Sequence, residues 1–264
     1  MIKVFTIYHS PEPPHEPRGP FEPLSVYCDD GDNIADREAY GEMRAHYFAW
    51  RNNLTAGLTH IGFQHYRRWL DFDCRDASLV ATADAALFAL HVKSRPLPSW
   101  VEKVDVVTAA RWFFQGNDRR PIQPSHRGGD WNAFCAEAPV LVEHALEEHS
   151  YHPCNIFVMR VCEFDRYMRF WWPLMQRIES RVERLPDGYQ GRAMAFLSER
   201  IFSLWVDREA YSAAYEVPLI MDAGAHCRRS SDHKVMSSVF NSLINSSSDQ
   251  NEILPRSPRW RRVP

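Results

Sequence analysis

Residues 62–73, GFQHYRRWLDFD, set two adjacent arginines, Arg67 and Arg68, directly behind an apolar run and directly ahead of two aspartates. A guanidinium carries a permanent charge on a planar fork of donors, which matches phosphate and pyrophosphate oxygens better than most side chains do. Asp71 and Asp73 form a D-x-D, whose hard carboxylate oxygens suit magnesium or manganese. The same four charges also describe a solvated ion-pair cluster. Position favours the functional reading, because the arginines follow a segment with the composition of a buried strand. Elsewhere, Asp30, Asp32 and Asn33 in DDGDN offer hydroxyl-binding acceptors or, equally, a turn with a helix cap. On the helical stretch 191–208, Arg192, Glu199 and Ser203 fall together opposite the apolar stripe of Met194, Leu197, Ile201, Leu204 and Trp205. That polar side faces either a site or water.

The elements that must position these groups belong to an ordinary globular chain. Apolar residues make up 45% of the 264 and charged residues 25%, which excludes a wholly disordered or membrane-embedded protein. A formal charge of −3 gives no global attraction to nucleic acid or acidic lipid, so a polyanion would have to be gripped locally. The six cysteines show no C-x-x-C pair, and free thiols in a reducing cytoplasm are expected. The first apolar run is too short for a signal peptide and no 18-residue apolar span follows, so a cytoplasmic protein is predicted.

Strands are predicted at 2–8, in LSVYC (24–28), at 58–63, about 105–109 and at 155–160. Helices are predicted near 34–52, with Asn33 and Asp36 as a capping box, at 77–92, after residue 160 with a break or bend at Pro173, and at 191–208. Strands alternating with helices imply an α/β fold with a mostly parallel central sheet covered on both faces. Ligands then sit beyond the carboxyl ends of the strands, where His9, DDGDN and HYRR would lie. One domain over 1–236 is expected, followed by a polar and then basic tail over 237–264. Arg259, Arg261 and Arg262 beside Trp260 either touch the anionic inner face of the membrane or are simply solvated.

DDGDNI (29–34), EMRAHYFAWRN, GFQHYRRWL, VDVV, the His126-x-x-x-Asp130 pair, NIFVMR and GRAMAFLSERIFSLW together resemble a family of bacterial capsular-polysaccharide biosynthesis glycosyltransferases. The likeness runs from the first strand to about residue 220. It implies a GT-A-like fold and a nucleotide-sugar donor, UDP-linked and with UDP-galactofuranose among the candidates, since some relatives are galactofuranosyltransferases. The acceptor would be a capsular, exopolysaccharide or O-antigen glycan, free or lipid-linked. His65, Tyr66, Arg67 and Arg68 would hold the diphosphate, where a fixed cation stabilises the charge growing on the leaving group. An inverting transfer needs one base for the acceptor hydroxyl. Glu199, in the family's F-L-x-E-R helix, is the first candidate and Asp130 the second, unless Asp130 is only a helix cap. Tyr8, His9, Asp30, Asp32, Asn33, His126, Asn155, Arg192 and Arg200 are then candidates for nucleotide and sugar contacts. The typical member has HYRR without a dependable D-x-D, so Asp71 and Asp73 leave the metal question open.

Two other classes fit parts of the pattern. His60, His65, Asp71, Asp73, His126 and Asp130 could surround two cations in a metal-dependent phosphoesterase, although no tight ligand motif is present. A noncatalytic sugar-binding protein would use the same cleft without turnover.

Overall fold

The computed structural model describes residues 1–12, 20–72, 81–83, 97–113, 129–141, 150–182, 191–209, 211 and 213–222. Its centre is a mixed, mostly parallel sheet. β1 (Ile2–Tyr8) lies parallel to β2 (Phe21–Ser25) on one side and to β3 (His60–His65) on the other. A tight turn at Tyr66 and Arg67 leads from β3 into β4 (Arg68–Leu70). Beyond β4, β11 (Leu219–Asp222) runs antiparallel to it and parallel to β5 (Ala81–Ala83). On the other edge of β3, β9 (Phe157–Arg160) runs antiparallel to both β3 and β6 (Val106–Ala109), and β10 (Ala214–Val217) closes that side parallel to β6. β7 (Trp112–Phe113) and β8 (Ser150–Tyr151) form a separate ribbon.

The two-residue period of the strands builds two cores. Phe5, Ile7, Ile61, Phe63, Phe157 and Met159 point to one face, where α1 (Met43–Arg51), α3 (Val161–Glu179) and α4 (Ala193–Glu209) pack. Val4, Val107, Ile156 and Val158 point to the other, against Val101, Leu70, Phe72 and Val217. The first core is aromatic: Phe157 stacks on Phe202 at 4.7 Å and meets Phe63 edge-on at 5.6 Å. Burial of each such ring stabilises the fold by roughly 2–3 kcal/mol. Gly62 lets β9 approach β3, since a Cβ there would lie 2.6 Å from Val158 Cγ2. The short helix α2 (Gly129–Glu137) packs beside α3.

Several expectations need correction. The predicted helix 34–52 is interrupted: residues Glu38–Tyr40 form a 3₁₀ turn, Gly41 takes φ 52°, and only then does α1 begin. Asn33 makes an Asx turn to the Ala35 N–H (3.1 Å) in place of a capping box. The second strand occupies Phe21–Ser25, because the chain turns at Val26 and Tyr27, where the Tyr27 N–H donates to Ser25 Oγ at 3.0 Å. Inside the alanine-rich stretch 77–92, Ala81–Ala83 pair with β11 as a strand, and the remainder lies outside the described residues. Pro173 does not break α3, which continues through it. The tail over 237–264 also lies outside the described residues. Among those residues, no helix is long and apolar enough to cross a membrane.

Candidate active site

The carboxyl ends of β1, β3 and β6 and the start of the inverted β9 lie along one rim of the sheet. Tyr8 and His9 arrive from β1, and His65 to Arg68 from the β3–β4 turn. Tyr66 stacks on Tyr8 (5.7 Å, 27°), and the exposed Arg67 lies over the outer side of the same ring at 4.8 Å. His65 Nδ1 accepts the Arg67 N–H at 3.3 Å and so ties the turn. The His9 and His65 rings lie 5.4 Å apart. Burial, and then Arg192, pushes His9 down to about 4, and burial pushes His65 down to about 3, so both are neutral at pH 7. Burial alone raises the Tyr8 hydroxyl to about 12.

The two arginines of HYRR diverge. Arg67 faces outward, whereas Arg68 turns inward and donates from Nη1 to Cys154 Sγ at 3.3 Å. Cys154 and Asn155 both adopt left-handed backbone, φ 72° and 50°, at the entry to β9. Consecutive non-glycine residues in that region cost backbone energy, which the surroundings must offset. What holds the corner is a set of hydrogen bonds. Asn155 Nδ2 donates to Glu42 Oε1 (3.0 Å) and to the Ala195 carbonyl (3.1 Å), and the Asn155 carbonyl faces His46 Nε2 at 3.2 Å. The Cys154 backbone at this corner favours the ionised form of the Glu199 carboxyl on α4.

The polar side of α4 therefore does not face water. Glu199 is 9% exposed and Ser203 and Arg200 are buried, because that side of α4 packs on the rim while the apolar stripe packs on α3. Ser203 Oγ accepts the His152 N–H at 2.8 Å and donates to the Glu199 carbonyl at 2.9 Å. The Arg200 guanidinium covers the Tyr151 ring at 3.2 Å. Burial raises the Glu199 carboxyl to about 7; the Glu42 charge adds to this, while Arg200, Arg68 and the Cys154 backbone oppose it.

Glu42, at the start of α1, is a site residue that spacing did not reveal. Its Oε2 accepts from Arg192 Nη2 at 2.7 Å. Burial pushes its carboxyl up, but Arg192, then His65 and the Asn155 amide, outweigh burial and hold it at about 2. Gly41 makes this pair possible, since a Cβ there would meet Arg192 Nη2 at 3.0 Å.

Other candidates sit elsewhere. Asp32 accepts from Tyr47 Oη (2.9 Å) and Arg51 Nε (2.6 Å), on the far half of α1 and roughly 10 Å along the helix axis from Glu42. Asn33 is used in its own turn, and Asp30 is exposed beside it. The DDGDN turn is thus not joined to the rim cluster through these side chains. Asp130 lies in the first turn of α2, with only its backbone described. His126 and Asp73 lie outside the described residues. Asp71 is half-buried, with its N–H on the Pro218 carbonyl at 2.9 Å. Among the described residues, no three His, Cys, Asp or Glu side chains gather as a cation site. A cleft of about 540 Å³ lined by Trp50, Arg51, Asp165 and Arg169 belongs to the other end of α1 and shares no residue with this cluster.

Residues 22–210 match the family model described as a domain of unknown function, DUF4422. No curated protein matches the sequence. A solved structure, the WbbM bifunctional glycosyltransferase in its apo form, superposes with a TM-score of 0.68 at 18% identity. The match covers 84% of this chain and 45% of that one, so the present chain spans less than half of its length. At that identity the likeness establishes the fold, which is the GT-A-like α/β fold expected from the sequence.

Proposed function

The chain belongs to the DUF4422 family, and on that footing we propose that it is a glycosyltransferase that moves a hexosyl group from a nucleotide-sugar donor to a growing surface glycan. The observation that carries the reading is the meeting of Arg68 and Glu199 at one strained corner on the strand-end rim. A fixed cation stands there beside a buried carboxyl poised near neutrality. The bifunctional glycosyltransferase that shares the fold supports the reaction class. The ordered motifs support a UDP-linked donor, galactofuranose among them, and a capsular, exopolysaccharide or O-antigen acceptor.

In the reaction, the oxygen of an acceptor hydroxyl attacks the anomeric carbon from the side opposite the diphosphate. The bond from that carbon to the diphosphate oxygen breaks with its electron pair left on the phosphate, and the hydroxyl proton passes to Glu199, with inversion. A base whose pKa lies near the working pH combines a useful ionised fraction with a useful driving force. Arg68, held by Cys154, is already oriented when charge appears on the leaving oxygen, so it need not reorganise. Arg67, on the outer side of Tyr66, meets the diphosphate from solvent. Tyr8, His9, His65, Tyr66, Arg192 and Arg200 would form the wall against which nucleotide and sugar lie, while the buried Asn155, expected among the contacts, is used inside the corner. Asp71 and Asp73 are the pair that would hold magnesium or manganese, and Asp130 is the alternative base. Peripheral contact with the inner membrane face through the C-terminal tail would bring the enzyme to a lipid-linked acceptor.

A thermal-shift screen of nucleotide sugars, with and without EDTA, tests the donor class and the cation together, because a ligand of the folded state raises Tm. A rise with one or more UDP-sugars, followed by transfer to a glycan acceptor, is expected. Release of inorganic phosphate from a simple ester, abolished by EDTA, would replace the reading with a phosphoesterase. Binding without turnover over many acceptors would replace it with a sugar-binding protein.

A further inference from the structure

We infer that Glu42 is the positioning residue of this site: its two carboxylate oxygens, one on Arg192 and one on Asn155, lock the corner that holds Glu199 and Arg68 together. The inference rests on the proposed reaction for its consequence, but its geometry stands independently. Glu42 is 5% exposed, and both of its oxygens are occupied by protein donors, at 3.0 Å from Asn155 and 2.7 Å from Arg192. It is thereby unsuited to receiving a substrate proton or holding a sugar hydroxyl. Its effect passes through what it holds.

The chain of contacts is continuous. Asn155 cannot rotate its amide, because both Nδ2 hydrogens are taken by Glu42 and the Ala195 carbonyl. Fixing Asn155 fixes the left-handed pair Cys154–Asn155, and that pair sets the Cys154 thiol on Arg68 and the Cys154 backbone where it favours the ionised form of Glu199. The thiol itself is no nucleophile, since burial pushes it up to about 12. Arg192 is in turn pressed against Gly41, immediately before Glu42, so the start of α1 and the start of α4 are fastened at one point. Glu42 also acts by charge. Glu199 is faced by Arg200 from its own helix, Arg68 from β4, Tyr151 from β8, Cys154 from the corner, and Glu42 from α1. Burial is the main reason Glu199 holds its proton, and of these groups Glu42 is the one whose negative charge at neutral pH adds to that; both thiol and phenol are neutral there.

The variant Glu42→Gln keeps the volume and an acceptor for Asn155 but removes the charge. In the full chain with ¹³C-labelled glutamate, the Glu199 carboxyl signal, assigned by its loss in Glu199→Gln, gives a titration midpoint without any substrate. We expect that midpoint to fall by roughly one pH unit in Glu42→Gln. The acid limb of kcat/KM should fall with it. Should Glu42→Gln not fold, Arg192→Met tests the same link: with the cation gone, burial raises Glu42 itself, its charge at neutral pH is diminished, and the Glu199 midpoint should again fall. A residue that only stabilises the fold would lower Tm and activity and leave the midpoint in place. An unmoved midpoint in either folded variant overturns the inference. If the midpoint moves but no nucleotide sugar is turned over by the unaltered chain, the positioning stands and the proposed reaction fails.

Discussion

Glu42 and Glu199 lie in one buried cluster, and their surroundings drive their proton affinities in opposite directions. Arg192, His65 and Asn155 hold Glu42 at about 2, while burial and the Glu42 charge lift Glu199 to about 7. Two carboxyls separated in this way are the usual basis for dividing roles between a permanent anion and a proton carrier.

The first consequence is a pH profile. If Glu199 takes the acceptor's proton, kcat/KM should rise with pH along a limb whose midpoint lies near 7. Initial rates from pH 5 to 9 with a competent donor check this. A limb near 4.5, the ordinary glutamate value, would mean that another group is the base.

Stability should show the same group with a definite sign. Glu199 is raised from 4.5 to about 7 on folding, so its contribution is complete below pH 4.5 and is lost as pH climbs through 7. Removing its charge in Glu199→Gln should therefore stabilise the protein more at pH 8 than at pH 4.5, by an amount on the order of 3 kcal/mol. Glu42 has the opposite sign: it is depressed from 4.5 to about 2, and its contribution is lost as pH falls between those values. Denaturant melts at pH 3, 4.5 and 8 separate the two.

The arginines should not be equivalent. Arg68 is bound to Cys154 inside the cluster and Arg67 stacks outside on Tyr66, so Arg68→Ala should lower kcat by about 10²–10³-fold. Arg67→Ala should act mainly on the donor's KM. Steady-state kinetics of the two variants distinguish these effects, and equal losses in kcat would contradict the divergence.

Gly41→Ala tests the fastening of α1 to α4. The new methyl meets Arg192 Nη2 and Ala195 Cβ, each at 3.0 Å, at a φ of 52° that alanine resists. A loss of about 1–3 kcal/mol is expected together with reduced turnover. A Tm within a degree of the parent would show that the corner yields.

Parts of this site could be read from the sequence, and the reason differs from residue to residue. Arg68 was legible because a charged pair behind a β-rich apolar run must emerge at a strand end. Glu199 was legible as part of a polar side opposite an apolar stripe, but spacing could not tell water from a sheet rim, which tertiary packing of α4 decided. Glu42 was not legible: it stands in EMRAHY as one more helix residue, and its partners Asn155 and Arg192 are 113 and 150 positions away. A glycine one residue before it was the available signal, and it also marks why the helix expected over 34–52 starts late. The Cys154–Asn155 corner has no composition signature, since nothing in C-N-I announces left-handed backbone at cysteine. β5 was hidden because alanine favours helices locally, while pairing with β11 overrides that preference at Ala81–Ala83.

The most direct test of the central claim is single-turnover transfer from a UDP-sugar to a glycan acceptor by Glu199→Gln, with donor affinity measured on the same sample. The account predicts donor binding within a few-fold of the parent and a transfer rate lower by about 10²–10⁴-fold. A transfer rate close to the parent's, with donor bound equally well, would contradict it.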